Sequence, residues 1–402
     1  MRINLAILVI FALLLASCSA STSIGEAPTG ENETSGAVDD GATTATGTSA
    51  SETRLLELLA LVPRSALSDS IVYLSDWELA GEQFGMGPPG DCTNEERLRN
   101  YMLELNGLGG INSPEAYTGQ VFFGASSFVD LETEFGFSVC DITGVAEGGQ
   151  LPHAATSFTV TTPVDLIDDR LRADPEWGPD LMVVNEGAED EYYQWTDEPL
   201  RQYVERRTSM RSLGRGGAML VADGFVVRSA STEPVEAIVT GDSLDDSTLA
   251  IDLVAALASE NVHTAFITQP QRATLGLFEL RASFEDVAAE LESLRDMALE
   301  PYSLLGVGVG YERDERRTVL TVIMLNRNAE NAVENVERFR RIVEESGPIS
   351  DDAMWADYFT ISSAEARGNL TVTRLIATDG ERPVFSFALE TFYRRDALFS
   401  TS

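Results

Sequence analysis

The densest concentration of reactive side chains is a run of arginines in an otherwise acidic chain. Arg201, Arg206, Arg207, Arg211 and Arg215 fall within residues 201–215, with only Glu205 against them. Guanidinium forks grip carboxylate or phosphate through paired N–H donors. The island could therefore hold an anionic ligand, or it could neutralise acids of its own domain. Just upstream, the sequence EYYQW sets Tyr192, Tyr193 and Trp195 together. In a strand, Tyr193 and Trp195 share one face, which would serve either as a stacking platform for a sugar or peptide or as core packing. Tyr193, Trp195, Arg201, Arg206, Arg207 and Arg211 are the candidate ligand-binding residues.

Other chemistries find less support. The chain has two histidines, His153 and His263, so any Ser–His–Asp or Cys–His arrangement must use one of them. His263 sits in the apolar run VHTAFIT and reads as structural; His153 sits in a Pro-flanked loop and reads as a surface residue. Neither G-x-S-x-G nor H-E-x-x-H occurs, and so few imidazoles argue against a zinc site. The glycine clusters GLGG (107–110) and GVGVG (306–310) lack the strand–turn–helix setting in which backbone N–H groups cradle a phosphate. The first ends a helix and the second lies in a strand. Asp242, Asp245 and Asp246 do not match the spacing of an EF-hand loop. The sequence thus offers no catalytic residue, metal ligand or cofactor. Acids are abundant, and a pair converging across a cleft, as a glycosidase requires, is not legible from their order.

The elements that must position these residues are strands and helices in mixed order. Capping boxes, a Ser or Thr followed three residues later by an acid, occur at Ser75…Glu78, Thr93…Glu96, Thr162…Asp165 and Ser283…Asp286. Residues 70–80, 157–171 and 275–294 each read as strand, cap, helix. Residues 218–230 read as a hairpin around Asp223-Gly224, 304–325 as a hairpin around a charged tip, and 369–389 as a hairpin around Asp379-Gly380. An amphipathic helix is expected over Ala329–Glu345. Strand–helix units interleaved with hairpins predict an α+β fold with mixed or antiparallel sheets. The order strand–helix, hairpin, helix appears over about 70–240 and again over about 262–390, which points to two similar halves joined near GDSLDDST (241–248).

The formal net charge is −37, and all 28 basic residues are arginine. Such a surface repels nucleic acid and anionic headgroups, so neither is expected as a partner through charge. Membrane attachment would have to come from a lipid.

The first residues offer one. After Arg2, residues Ile3 to Ala16 are apolar except for Asn4. That run falls short of the roughly 20 residues needed to span a bilayer and fits a signal-peptide h-region. It ends at Leu15-Ala16-Ser17-Cys18, which resembles the lipobox of bacterial lipoproteins. The resemblance implies that the Cys18 thiol carries diacylglycerol and that cleavage makes Cys18 the first mature residue. The protein would then sit on the extracytoplasmic face of the cell membrane, or on an outer membrane where the cell has one. Residues Ser19 to Ser51 are rich in Ser, Thr, Gly and Ala and carry Glu26, Glu31, Glu33, Asp39 and Asp40 with no base. Too little apolar surface is present there to offset ordering entropy, so the segment reads as a tether reaching roughly 30 Å. With Cys18 lipidated, Cys92 and Cys140 remain, and outside the cytoplasm an even pair predicts a disulfide. The stretch 216–241 is similar to segments of uncharacterised extracytoplasmic bacterial proteins, a likeness that implies no activity.

The expected organisation is a signal peptide (1–17), a lipidated Cys18 and tether (18–51), a first α+β half (52–245) and a second (246–402). The function these features favour is that of a membrane-anchored extracytoplasmic lipoprotein whose ectodomain is non-catalytic, binding a ligand or partner or associating with the envelope. A two-lobed solute receptor is a variant of that reading. A secreted hydrolase that uses carboxylates is the competing one.

Overall fold

The computed structural model describes residues 50–107, 114–119, 122, 127–188, 190–208, 210–211, 213–272, 298–347, 353–378, 384–393 and 397–401. Cys18, the tether up to residue 49 and the strand–cap–helix expected over 275–294 lie outside the described residues.

The first half opens with α1 (Ala50–Leu59) and α2 (Ala66–Asp69), then runs β1 (Val72–Asp76), α3 (Trp77–Phe84), α4 (Glu95–Leu105), α5 (Asp130–Phe135), β2 (Ile142–Gly148), β3 (Ala155–Val160) and α6 (Val164–Ala173). It closes with the hairpin β4 (Leu181–Val184) and β5 (Tyr192–Trp195), the hairpin β6 (Ala218–Ala222) and β7 (Phe225–Ser229), and α7 (Glu233–Val239). The second half opens with α8 (Thr248–Ser259) and β8 (Val262–Thr268), followed by the short β9 (Gln271–Arg272). It continues with β10 (Tyr302–Glu312), β11 (Arg317–Asn326), α9 (Ala329–Glu345), α10 (Trp355–Tyr358), β12 (Phe359–Arg367), β13 (Leu370–Ala377), α11 (Val384–Tyr393) and β14 (Ser400–Thr401). The fold is α+β.

Twelve strands form one sheet in the order β12-β13-β11-β10-β8-β1-β2-β3-β7-β6-β5-β4, and every pair within it is antiparallel. Read outward from the middle, the two halves repeat one plan. Each begins with a helix and a central strand (α1–β1, α8–β8). Each adds a hairpin (β2–β3, β10–β11), crosses a helix (α6, α9), and ends with a second hairpin whose later strand lies inside (β7 then β6, β13 then β12). Among the described residues, the first half alone carries an additional hairpin, β5–β4, at its rim. The seam is the β1–β8 pair, with Val72 opposite Ile267 and Ser75 opposite Thr264.

Alternation along the strands sends side chains to two covered faces. On the near face, α1 and α8 pack side by side on Val72, Leu74, Ala146, Ala265 and Ile267. Glycines make that approach possible. A side chain at Gly306 would stand 2.9 Å from Leu257 of α8, and one at Gly308 would stand 2.5 Å from Val262. The GVGVG run is thus a helix seat within β10. Farther out on the same face, α7 covers Tyr192, Leu220 and Val227. On the far face, α4, α5 and α6 enclose a core that includes Val145, Phe158 and Val226. There α9, α10 and α11 enclose another around Phe266, Val307, Leu320 and Val322.

Several expected elements need correction. The hairpin placed over 369–389 is not one: β13 pairs with β12, and 384–393 is helical. The short apolar run from Val384 alternates like a strand, but Val384, Phe385, Ala388 and Phe392 fall on one helical face and are buried. The helix after β1 is capped by Asp76, whose carboxylate accepts from Leu79 N at 2.8 Å, while Ser75 stays in the strand and bonds Thr264. Asn94, not Thr93, caps α4. Thr162 does not cap α6; its hydroxyl donates to Asp141, whose carboxylate also accepts from the N–H of Ser138, the cap of the short turn before β2. The β1–β8 ladder runs through the middle of the sheet.

Candidate functional site

The arginine island and the aromatic face do meet, but inside the molecule. Trp195 and Tyr193 are both buried in the far-face core, so they present no stacking platform to solvent. The Arg211 guanidinium lies 4.3 Å from the Trp195 ring centroid and 5.0 Å from that of Trp177. Arg206 covers the Trp177 ring at 3.9 Å and pairs with Glu176 and Asp180. The result is an alternating stack, Arg206–Trp177–Arg211–Trp195. Arg228 of β7 joins it through Phe135 at 4.5 Å, a ring that Arg211 also approaches.

Burial pushes the Arg211 guanidinium down to about 9, and Arg228 beside it adds to the effect. Burial likewise brings Arg228 down to about 10. The buried Glu134 carboxylate opposes both shifts. It accepts from Thr208 Oγ1 and Met210 N, which fixes the arginine segment to α5. Tyr193 donates to Asp168 of α6 at 2.8 Å. Arg201 and Arg207 remain exposed, the former paired with Glu198 at 3.2 Å. Four of the six candidate residues therefore hold the outer part of the first half together; of the two exposed ones, Arg201 lies over the Tyr203 ring at 5.3 Å, at the edge of the stack.

Cys92 and Cys140 form a disulfide with Cα atoms 6.2 Å apart. It ties the segment before α4 to the segment before β2.

A concave surface opens next to this stack. Glu198, Pro199 and Leu200 face Ser231, Thr232 and Glu233 across a cleft of about 290 Å³. His153 stands at Ser231, with Nδ1 3.0 Å from Ser231 Oγ and 3.4 Å from Glu233 Oε2. Its own backbone bond and the Ser231 hydroxyl hold the Glu233 carboxyl below the usual carboxylate range. Nucleophile, base and carboxylate are adjacent here, yet both oxygens contact the same imidazole nitrogen. A relay needs them on opposite nitrogens. The cleft instead presents hydrogen-bonding groups and two carboxylates, a lining suited to a cationic or hydroxyl-rich ligand. Nothing in the sequence marks it, because His153 and Ser231 are separated by 78 positions and belong to no motif.

A second cleft, of about 410 Å³, lies between the end of α3 and the β10–β11 tip, lined by Glu82, Gln83, Asn261 and Tyr311 to Glu315. Beneath it, fully buried His263 contacts Gln83 Oε1 at 2.7 Å and the Pro114 carbonyl at 2.5 Å, and burial brings its imidazole down to about 4.

Buried carboxylates elsewhere have structural partners. Asp76 caps α3 and pairs with Arg54 at 2.9 Å. Glu115 bonds the first turn of α11. Among the described residues, no three His, Cys, Asp or Glu side chains form a metal set, and no helix is long and apolar enough to cross a membrane. Comparison with protein families, with curated proteins and with solved structures found no match to this chain.

Proposed function

We propose that this protein is a lipid-anchored ectodomain on the extracytoplasmic face of a bacterial membrane and that it binds a ligand or partner rather than catalysing a reaction. The observation that carries the reading is the order of the first segments: an apolar run, Leu15-Ala16-Ser17-Cys18, and an acidic Ser/Thr-rich stretch ahead of α1 (Ala50–Leu59). Two acyl chains on Cys18 would anchor such a body stably, where one would not. The Cys92–Cys140 disulfide supports an oxidising compartment. The net charge of −37 supports attachment through lipid rather than through headgroup contacts. The cleft between Glu198–Leu200 and Ser231–Glu233 is the binding surface this reading favours, and its two carboxylates direct it toward cationic or polyhydroxyl ligands.

The test is expression of the full chain in a bacterium fed an alkyne-tagged fatty acid. The expected result is a tagged, membrane-bound protein whose label disappears in Cys18→Ser. An unlabelled wild type, or mature protein with an unmodified N-terminus, overturns the reading.

A further inference from the structure

The arginine stack leaves hydrogen-bond donors over. Arg211 is 2 % exposed. Its Nη1 donates to Gly216 O, but among the described residues its Nε and Nη2 have no acceptor. The indoles on either side of it, Trp177 and Trp195, are buried as deeply, and neither Nε1 has a partner. Arg228 Nε, buried beside Phe135, lacks one too. The rings do not supply what is missing, because a ring stacked on a guanidinium meets its face, whereas the N–H groups point outward in its plane. Nor do the acids. Arg206 pairs with Glu176 and Asp180, but among the described residues neither Arg211 nor Arg228 forms an ion pair. The two carboxylates that face Arg211 are turned to other donors. Glu134 accepts from Thr208 Oγ1 and Met210 N, and Asp174 accepts from Glu176 N at 2.8 Å and Trp177 N at 3.1 Å.

We propose that the open edge of Arg211, with Arg228 and the two indoles around it, is a buried anion site that takes a small monovalent carboxylate such as formate. The orphaned atoms define the ligand. All of them are donors, so what satisfies them is an acceptor, and a buried donor left without one is costly. Nε and Nη2 form the side-on fork of the guanidinium, two parallel N–H groups spaced for the two oxygens of one carboxylate. The fork is enclosed by Trp177, Trp195 and Phe135 and lines neither of the clefts described above, which limits the ligand to a few atoms. Glu134 and Asp174 nearby disfavour a second negative charge, as on sulfate or phosphate. Burial lowers both arginines yet leaves them protonated at neutral pH, so the charge that attracts the anion is present there. Held at this point, the anion joins α5, the segment after α6, β5, β7 and the arginine segment on one centre.

The experiment is urea unfolding of the full chain at neutral pH in mixtures of sodium formate and sodium gluconate at constant ionic strength. Gluconate is a carboxylate too large for the enclosed fork and serves as the reference. Above the dissociation constant for formate, each tenfold rise in formate should lower the unfolding equilibrium constant about tenfold. Arg211→Met removes the fork while keeping a stem between the rings, and it should abolish the dependence. Arg207→Met removes an exposed charge from the same segment and should leave the dependence as in wild type. Equilibrium dialysis against radiolabelled formate should find about one equivalent on the folded chain and none on the chain unfolded in urea. Equal midpoints in formate and gluconate overturn the site and leave the donors to water. So does a dependence that survives Arg211→Met, or a folded chain that binds no formate. If Arg211→Met does not fold, the dialysis decides alone.

Discussion

At the scale of single residues, the arginine island shows how a surface reading fails. Tyr193 and Trp195 do share a face, as strand alternation dictates. What was not legible was Trp177, which stands between Arg206 and Arg211 in space but far from both in the chain. A guanidinium held between rings gains about 2 kcal/mol when desolvated, and its planarity is essential to that gain. Arg211→Ala should therefore lower stability by about 2–4 kcal/mol, and Arg211→Lys should not restore it, because an ammonium cannot lie flat between two indoles. Exposed Arg207→Ala should change stability by less than about 0.5 kcal/mol. Urea denaturation of the three variants checks this; equal losses at positions 207 and 211 would show that the stack contributes nothing. Asp76 gives a pH prediction. Burial raises its carboxyl from 3.8 to about 6 despite Arg54 and the Leu79 N–H. The folded state therefore holds a proton that the unfolded state loses, and the contribution of Asp76 to stability is present below pH 4 and declines as the pH rises through 6. Asp76→Asn should remove that part of the decline in denaturation midpoints measured from pH 4 to 7.

At the scale of elements, local signals worked where one segment decided the outcome. The Asp223-Gly224 hairpin and the helix Ala329–Glu345 form where turn chemistry and periodicity place them. Capping was misassigned by a residue or so, since Asp76 and Asn94 compete with the neighbouring Ser75 and Thr93 for the same backbone donors. The misread of α11 has a different origin. The carboxylate that bonds its first turn, Glu115, comes from the other half of the chain, and no local pattern records it. β12 was missed because it is an edge strand of small polar residues, largely exposed. Its Ala364 carbonyl accepts from Arg340 of α9, which covers part of that edge. The glycines of β10 carry a prediction at this scale. Gly308→Val places a branched side chain where Val262 of β8 already stands and 3.2 Å from Leu257 of α8, so the α8 seat should loosen at a cost of about 1–3 kcal/mol. Valine at exposed Gly368 tests a different effect, since its φ of +62 strains any side chain while nothing lies within reach. Unfolding midpoints and α8 amide exchange distinguish the two: only Gly308→Val should loosen α8 selectively.

At the scale of the whole molecule, the repeated order strand–helix, hairpin, helix was legible, but the way the repeats join was not. Two α+β halves in sequence are compatible with two separate bodies, and only the β1–β8 ladder makes them one sheet. The disulfide also acts at this scale, closing a loop of 48 residues in the first half. In the chain-entropy account, such a loop contributes about 4 kcal/mol. Cys92→Ser/Cys140→Ser should lower stability by a comparable amount in denaturant titrations, and reduction of the wild type should match the double variant.

The seam makes the polypeptide a natural candidate for splitting. Cut between residues 245 and 246, either fragment would bare a central β-strand that the intact chain never shows to water, and such an edge invites aggregation. Produced alone, each piece should precipitate. Co-produced, the two should find one another through the orphaned strands and copurify in equal amounts, as an enzyme-free reporter of contact between whatever proteins are fused to them. Recovery of either piece as a soluble monomer would show that the central pairing is dispensable.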